Sequence, residues 1–333
     1  MRVRRSAVSA LALSAVMTVV LSPRSLSAQL KYGGYLAVDF AKSEAEGDFP
    51  VGTFNRILGG FYASGILAEK FGFMAEMTYT KDAEFGIRQA WVGFLPSDKL
   101  AVKAGLYSVP FGSWNVSDRP HEQPLIETPL NLRYLYPAAW RDIGLLVDGR
   151  LSIISYAFYL GNGLRESDYI SEGQQFEDNN DGKAMGGRLA LLLSEAISVG
   201  ASYYEGDFDD LGERKLKLEG LDLAVVTSQW EIHGEYTKGL IANPDPYERG
   251  ETEGFSVWTV MSYRKFQPVA SYQKMKYNDS FHGDGIATDE SRWTLGLRFV
   301  LSPAFFLKFE YAWNKEEPKI KNDGFRIQAA LAF

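Results

Sequence analysis

Few side chains in this 333-residue chain are equipped for chemistry: it has three histidines and no cysteine. His233 has the richest setting, because Glu231 and Glu235 lie two residues to either side. On an extended strand, positions two apart share a face, so this imidazole stands between two carboxylates. That suits a general base or a metal ligand, and equally a histidine on a solvated wall. His121 lies in a proline-rich segment and His282 in an acidic one. A Gly-x-Ser-x-Gly elbow, a His-Glu-x-x-His pair and a phosphate-cradling glycine loop are all missing. Glu177-Asp178-Asn179-Asn180-Asp181-Gly182 begins like a calcium loop, but Arg188 occupies the twelfth position, where a bidentate Glu belongs. No enzyme, metal site or cofactor is expected. The missing cysteine excludes a disulfide scaffold and thiolate metal sites. A net charge of −7 and a pI near 5.2 exclude nucleic acid as a partner, since no basic surplus exists to neutralise phosphates. What remains is charge placed at alternate positions, so the question becomes which elements place it there.

The N-terminus carries Arg2, Arg4 and Arg5, an apolar stretch from Ala7 to Leu21, and small residues at Ser25, Ser27 and Ala28. This is the order of a secretory leader: basic region, short apolar core, small-residue cleavage site. The expected boundaries are a signal peptide over 1–28 and a single β-barrel over 29–333. Removing 1–28 takes four arginines and leaves a charge of −11. At the other end, Phe325-Arg326-Ile327-Gln328-Ala329-Ala330-Leu331-Ala332-Phe333 alternates apolar and other residues to its aromatic last position.

No apolar run beyond residue 28 reaches the length of a membrane-spanning helix, whereas segments of period two recur throughout. Strands are expected at Tyr32–Phe40, Asn55–Ile66, Phe71–Thr80, Glu84–Leu95, Leu100–Ser108, Arg141–Asp148, Leu151–Gly161 and Lys183–Leu193. Eight more follow at Ser198–Glu205, Leu216–Thr227, Trp230–Lys238, Gly254–Tyr263, Gln267–Lys276, Ser291–Leu301, Phe305–Asn314 and Gly324–Phe333. Short connections, such as Gly149-Arg150, Ser228-Gln229 and Ser302–Ala304, alternate with longer and mostly polar ones. A soluble sandwich has no need of that rhythm. A transmembrane antiparallel β-barrel of about sixteen strands has, with tight turns at one end and long loops at the other. Mean hydropathy of −0.18 hides this, because it averages a lipid-facing face with a polar one. Aromatics near strand ends (Tyr79, Trp230, Trp293, Trp313) fit interfacial girdles. Faces do not resolve for Glu84–Leu95 or Gly254–Tyr263.

Sixteen strands enclose a lumen too wide for side chains to fill. Its wall is expected to carry Lys103, Arg188, Asp222, Glu231, His233 and Glu235. Arg292, Arg298, Lys308, Glu310 and Arg326 continue it. The short turns place Arg298 opposite Lys308 and Asp222 opposite Glu235, like charges that destabilise a pair unless something compensates. One explanation is a basic and an acidic wall segment that set a field across water; the other is that solvated charges cost little. Residues 109–140 hold five of the thirteen prolines together with Phe111, Trp114, Leu125, Leu130, Tyr136 and Trp140. So apolar a loop is expected to fold inward as a constriction, with a subunit interface as the alternative. Arg119, His121, Glu122, Glu127, Arg133 and Arg141 are its candidate pore residues. Acidity gathers in the other long connections: segments 41–50, 162–182, 206–213, 241–253 and 277–290 hold 21 acids and three bases. That suits soluble loops, or divalent cations at a lipopolysaccharide layer.

Four stretches resemble a family. Arg88-Gln89-Ala90-Trp91-Val92-Gly93-Phe94, then Lys103-Ala104-Gly105-Leu106-Tyr107-Ser108-Val109-Pro110-Phe111-Gly112, are similar to phosphate-selective porins of the O/P family. So are Arg141-Asp142-Ile143-Gly144-Leu145-Leu146-Val147-Asp148-Gly149 and Tyr159-Leu160-Gly161-Asn162-Gly163. The resemblance implies a sixteen-stranded, trimeric channel in the outer membrane of a Gram-negative bacterium, passing small hydrophilic solutes or ions. The long loop departs from it. Arg119, Arg133 and His121 face Asp118, Glu122 and Glu127, near balance rather than the basic excess of phosphate-preferring members. An outer-membrane barrel enzyme and a structural or adhesive anchor are the alternatives.

Overall fold

The computed structural model describes residues 29–67, 69–80, 84–277 and 289–333. The leader expected over 1–28, His282 and most of the acidic segment 277–290 lie outside those residues. Sixteen strands form one closed antiparallel barrel, each paired with its sequence neighbours and the first with the last. They are β1 (Gln29–Ser43), β2 (Thr53–Leu67), β3 (Phe71–Thr80), β4 (Phe85–Ser97), β5 (Leu100–Ser108), β6 (Arg141–Leu151), β7 (Ile154–Gly161) and β8 (Ala184–Leu192). The circle continues through β9 (Ile197–Asp207), β10 (Lys215–Val226), β11 (Trp230–Ile241), β12 (Gly250–Met261), β13 (Phe266–Tyr277), β14 (Glu290–Ser302), β15 (Phe305–Lys315) and β16 (Gly324–Ala332). Connections alternate in length as expected. One short turn is displaced: β6 runs on to Leu151, and the chain reverses at Ser152, whose φ of 56° makes the bend. Gly149 is glycine for another reason, since a Cβ there would sit 2.2 Å from the Lys99 carbonyl oxygen.

Side chains alternate between lipid and lumen. On β15, Phe309, Tyr311 and Trp313 are exposed on the outer surface, while Lys308 and Glu310 are buried inside. Tyr79, Trp230, Trp293 and Trp313 likewise stand exposed near strand ends. The two strands whose faces the sequence hides each have a physical reason. In β4 the pairing with β3 slips between Glu76 and Met77, so Arg88 is an extra residue and the alternation changes phase there. In β12 the lumen face carries Trp258 and Val260, apolar because the inner loop covers them.

That loop, residues 109–140, lies within the barrel. Its Val109, Phe111, Trp114, Leu125, Leu130, Leu132, Leu135, Tyr136 and Trp140 form one cluster with wall residues including Tyr204, Leu216, Leu218, Trp258 and Met275. A single turn of helix, α1 (Leu130–Tyr134), presents Leu130 and Leu132 to it.

Candidate functional site

The lumen is divided by the loop, so the site is best built from the loop's attachments. Its neck is closed by Asn115, whose Nδ2 donates to the Val109 and Trp140 carbonyls at 2.7 and 3.1 Å; its Oδ1 accepts from the Trp140 N–H at 2.7 Å. Beyond the neck, Phe111 packs on Tyr136 and Trp140, Trp140 on Tyr204, and Trp114 edge-on against Trp258. One carboxylate serves this apolar root. Glu235 Oε1 accepts from the Ser113 N–H (2.5 Å), the Ser113 hydroxyl (2.8 Å) and the Trp114 N–H (2.6 Å), and Oε2 from Tyr136 (2.7 Å). On α1 the Leu130 N–H donates to Gln273, and the Asn131 side-chain oxygen accepts from Ser256.

The rest of the loop is held by charge. Arg119 donates to both oxygens of Glu76 at 3.2 and 2.9 Å, and Asp118 pairs with Arg88. Lys308 donates to the Pro120 carbonyl at 2.5 Å and Arg298 to that of His121 at 2.9 Å. Glu310 accepts the Ile126 and Glu127 N–H groups at 2.8 and 2.7 Å. Glu127 meets Arg292 (3.1 Å), Arg326 (3.0 Å) and Arg133 (3.4 Å). Burial works to raise the Glu127 pKa, but the Arg292 and Arg326 guanidiniums outweigh it and hold the carboxyl down at about 2. At His121 burial wins over the neighbouring Glu122 and lowers the imidazole pKa, which favours the neutral ring.

Both like-charge pairs expected from the turns are present: Arg298 stands opposite Lys308, and Asp222 opposite Glu235. Neither faces open water as a bare wall segment. Asp222 is clamped by Arg188 at 2.5 and 3.0 Å, Glu235 is under the loop root, and the two bases donate to loop carbonyls. The compensation is therefore chemical. Lys103 pairs with Asp148 at 2.7 Å, and His233 stacks on Trp258 at 5.2 Å beside Glu231's strand position. Glu122 lies on Arg119, while Arg141 donates to the Ala139 and Ile87 carbonyls. Among the described residues no three His, Asp or Glu gather as a metal site.

Sequence reading passed over Asp39, Arg56, Glu76, Arg88 and Asp142. Arg56 pairs with Asp39 at 2.6 Å, and Asp142 accepts the N–H groups of Ile143, Asn162 and Gly163 at the start of the next loop. Asp39 was legible from alternation in β1; Arg88 was not, because of the bulge.

Among the described residues, cavities flank the loop on three sides. One of about 240 Å³ opens on the long-loop side, against Glu127, Arg133, Arg292 and Arg326. A second, about 260 Å³, lies between loop and wall, with Arg56, Arg88 and Arg141 against Asp118. The third, about 450 Å³, is on the short-turn side beside Trp91, Lys103, Asp148 and Arg188.

No known family model matches the chain. An uncharacterized protein of Aquifex aeolicus (strain VF5) is 25% identical over 133 residues, which is 37% of this chain and 30% of that relative's length. The chain thus matches less than a third of it. Solved structures are similar in fold. An anion-selective porin from Comamonas acidovorans superposes with a TM-score of 0.67 at 12% identity, covering 92% of this chain and 100% of that one. OmpT of Vibrio cholerae gives 0.66 at 10% identity over 93% and 99%, and the outer-membrane channel DcaP of Acinetobacter baumannii 0.66 at 11% over 92% and 97%. At these identities the likeness establishes a sixteen-stranded barrel of the porin type.

Proposed function

We propose that the chain is an outer-membrane porin, a passive channel for small hydrophilic solutes, with residues 109–140 as its constriction. The observation that carries this reading is the arginine-lined cavity between loop and wall. The apolar half of the lumen is packed shut, so water and solute are left the charged half. There Arg56, Arg88 and Arg141 share one cavity with a single carboxylate, Asp118, among its lining. Arg141 donates to two carbonyls and lies over the Phe176 ring but forms no ion pair among the described residues, so its charge gives the passage a mild bias toward anions. Preference for phosphate among anions rests on the family resemblance alone. A chain exported by a signal peptide over 1–28, with long loops outside and a trimeric state, completes the reading; the leader pattern supports the first, and the porin-type fold the other two. His233 is stacked on Trp258.

Purified protein in a planar bilayer should show ohmic steps, and its reversal potential in a salt gradient should favour anions. Arg141→Ala should bring the anion/cation permeability ratio down about twofold. A silent bilayer would sink the channel, and a cation-selective parent would sink the bias.

A further inference from the structure

The outer surface of a membrane barrel should be apolar between its girdles. In one sector it is not. Near the long-loop end of β9–β13, the outward positions are Glu205, Lys215, Lys217, Glu219, Lys238, Glu251, Glu253, Lys274 and Lys276. Their alternates face inward: Leu216, Leu218 and Met275 are fully buried, and a Cβ on Gly254 would touch Asn131 of the inner loop. Inside and outside are thus reversed in polarity relative to the lipid-facing wall. Beyond β14, outward Trp313 and Phe325 on β15 and β16 are apolar, and the terminal Lys315 is the one outward charge on β15.

Just below the charges runs an aromatic row. Phe255 packs on Tyr272 (5.7 Å) and Tyr272 on Trp293 (4.6 Å), and Trp293 pairs across the sheet with Trp313. Such rings mark the level where hydrocarbon meets headgroups. Lys274 pairs opposite Phe255, within that border, and Lys276 and Lys238 both lie opposite Glu253 on the adjacent strands. The carboxylates do not use up these ammonium groups. Glu253 takes Lys276 at 3.2 Å but also the Tyr236 hydroxyl at 2.9 Å. Glu251 is held by Arg249 and reaches Lys238 only at 3.8 Å. Lys274 has no partner among the described residues. Each ammonium carries three donors, so spare donors converge at phosphate height from β11 and β13, the two strands that flank β12.

We propose that Lys238, Lys274 and Lys276 bind the phosphates of lipid A, the anchor of lipopolysaccharide. This rests on the outer-membrane reading with long loops outside, because only that leaflet presents lipid A to this sector. Charge complementarity selects the occupant: unsatisfied ammonium groups beside an interfacial aromatic row fit an anionic headgroup whose chains lie along the apolar wall beneath.

The test titrates the full chain in detergent with bisphosphorylated lipid A and with its dephosphorylated form. Parent protein should bind the first far more tightly. Replacing all three lysines by glutamine (Lys238→Gln, Lys274→Gln, Lys276→Gln) should weaken it roughly a hundredfold, at about fivefold per lysine. Lys274→Gln alone should cost about fivefold, which keeps the test open should the triple variant not fold. Lys265→Gln, in the short turn at the opposite end of β12 and β13, should leave affinity unchanged. Equal affinity in parent and triple variant, or no discrimination by phosphate, would overturn the site. Conductance is recorded on the same samples and should be unaltered in the variants. A silent parent that still binds lipid A through these lysines would remove the channel and leave the lipid site standing.

Discussion

The two halves of the lumen wall hold the same loop by opposite means. On β9–β13 the wall offers Tyr204, Leu216, Leu218, Trp258 and Met275, and the loop answers with Phe111, Leu132, Tyr136 and Trp140. From β14 round to β4 it offers Arg292, Arg298, Lys308, Glu310, Glu76 and Arg88, and the loop answers with carbonyls, N–H groups and carboxylates. The first kind of contact stabilises by about 1.5–3 kcal/mol for each large side chain buried. The second kind must first remove charges from water, and much of its Coulombic gain goes to offset that. A passing hydrated ion competes with the second kind and not with the first. The loop is therefore rooted on one side and latched on the other, and the route for solute follows the latched side.

The largest test of this asymmetry removes the latch and most of the root together. Deleting residues 115–136 should raise single-channel conductance several-fold, because the cavity between loop and wall merges with the space the loop occupied. Conductance equal to the parent's would mean that the loop is not the constriction. A narrower cut distinguishes the halves. Glu235→Ala leaves four donors at the root without an acceptor, at a cost of about 1–3 kcal/mol for each donor left buried and unsatisfied. Glu310→Ala frees only two backbone N–H groups, at the edge of the polar half. Glu235→Ala should therefore lower the midpoint of urea unfolding more and produce noisier open-channel current. Equal midpoint shifts would mean that root and latch do not differ.

How much of this could be read in advance follows the same division. Strand number, the closing rhythm of turns and the faces of β14, β15 and β16 were legible, because outward apolar and inward charged residues alternate cleanly there. Even the Arg298–Lys308 register came from turn length alone, and it survives the slip in pairing near Val300. Legibility failed where a second structure lies against the wall. In β12 Trp258 and Val260 look like lipid-facing residues, yet they face inward beneath the loop. In β10 Lys215 and Lys217 look like lumen residues, yet they face out. The partners of Glu127 and Glu235 were invisible for a related reason. They lie up to 199 residues away along the chain, and no local spacing encodes such a contact. Arg88 was lost to one extra residue in β4, which no alternation rule anticipates.

The smallest expected effect is in pH, and it isolates the latch. The Arg292 and Arg326 guanidiniums hold Glu127 ionised down to about pH 2, against an ordinary value of 4.5. A depressed carboxyl contributes stability that is fully present above its ordinary value and is lost as pH falls through the lowered one. From neutral pH to about pH 5 this grip on the loop should thus be constant. Between about pH 4.5 and pH 2 it should loosen, and open-channel noise should rise while the root stays packed. Glu127→Gln keeps the shape and removes the titrating proton, so its noise should already be raised at pH 7 and should lose this pH dependence. An unchanged acid transition in Glu127→Gln would assign it to another carboxylate, and a flat parent would show that the three arginines do not hold the loop. The second result would move the grip from the charged half of the lumen to the apolar one.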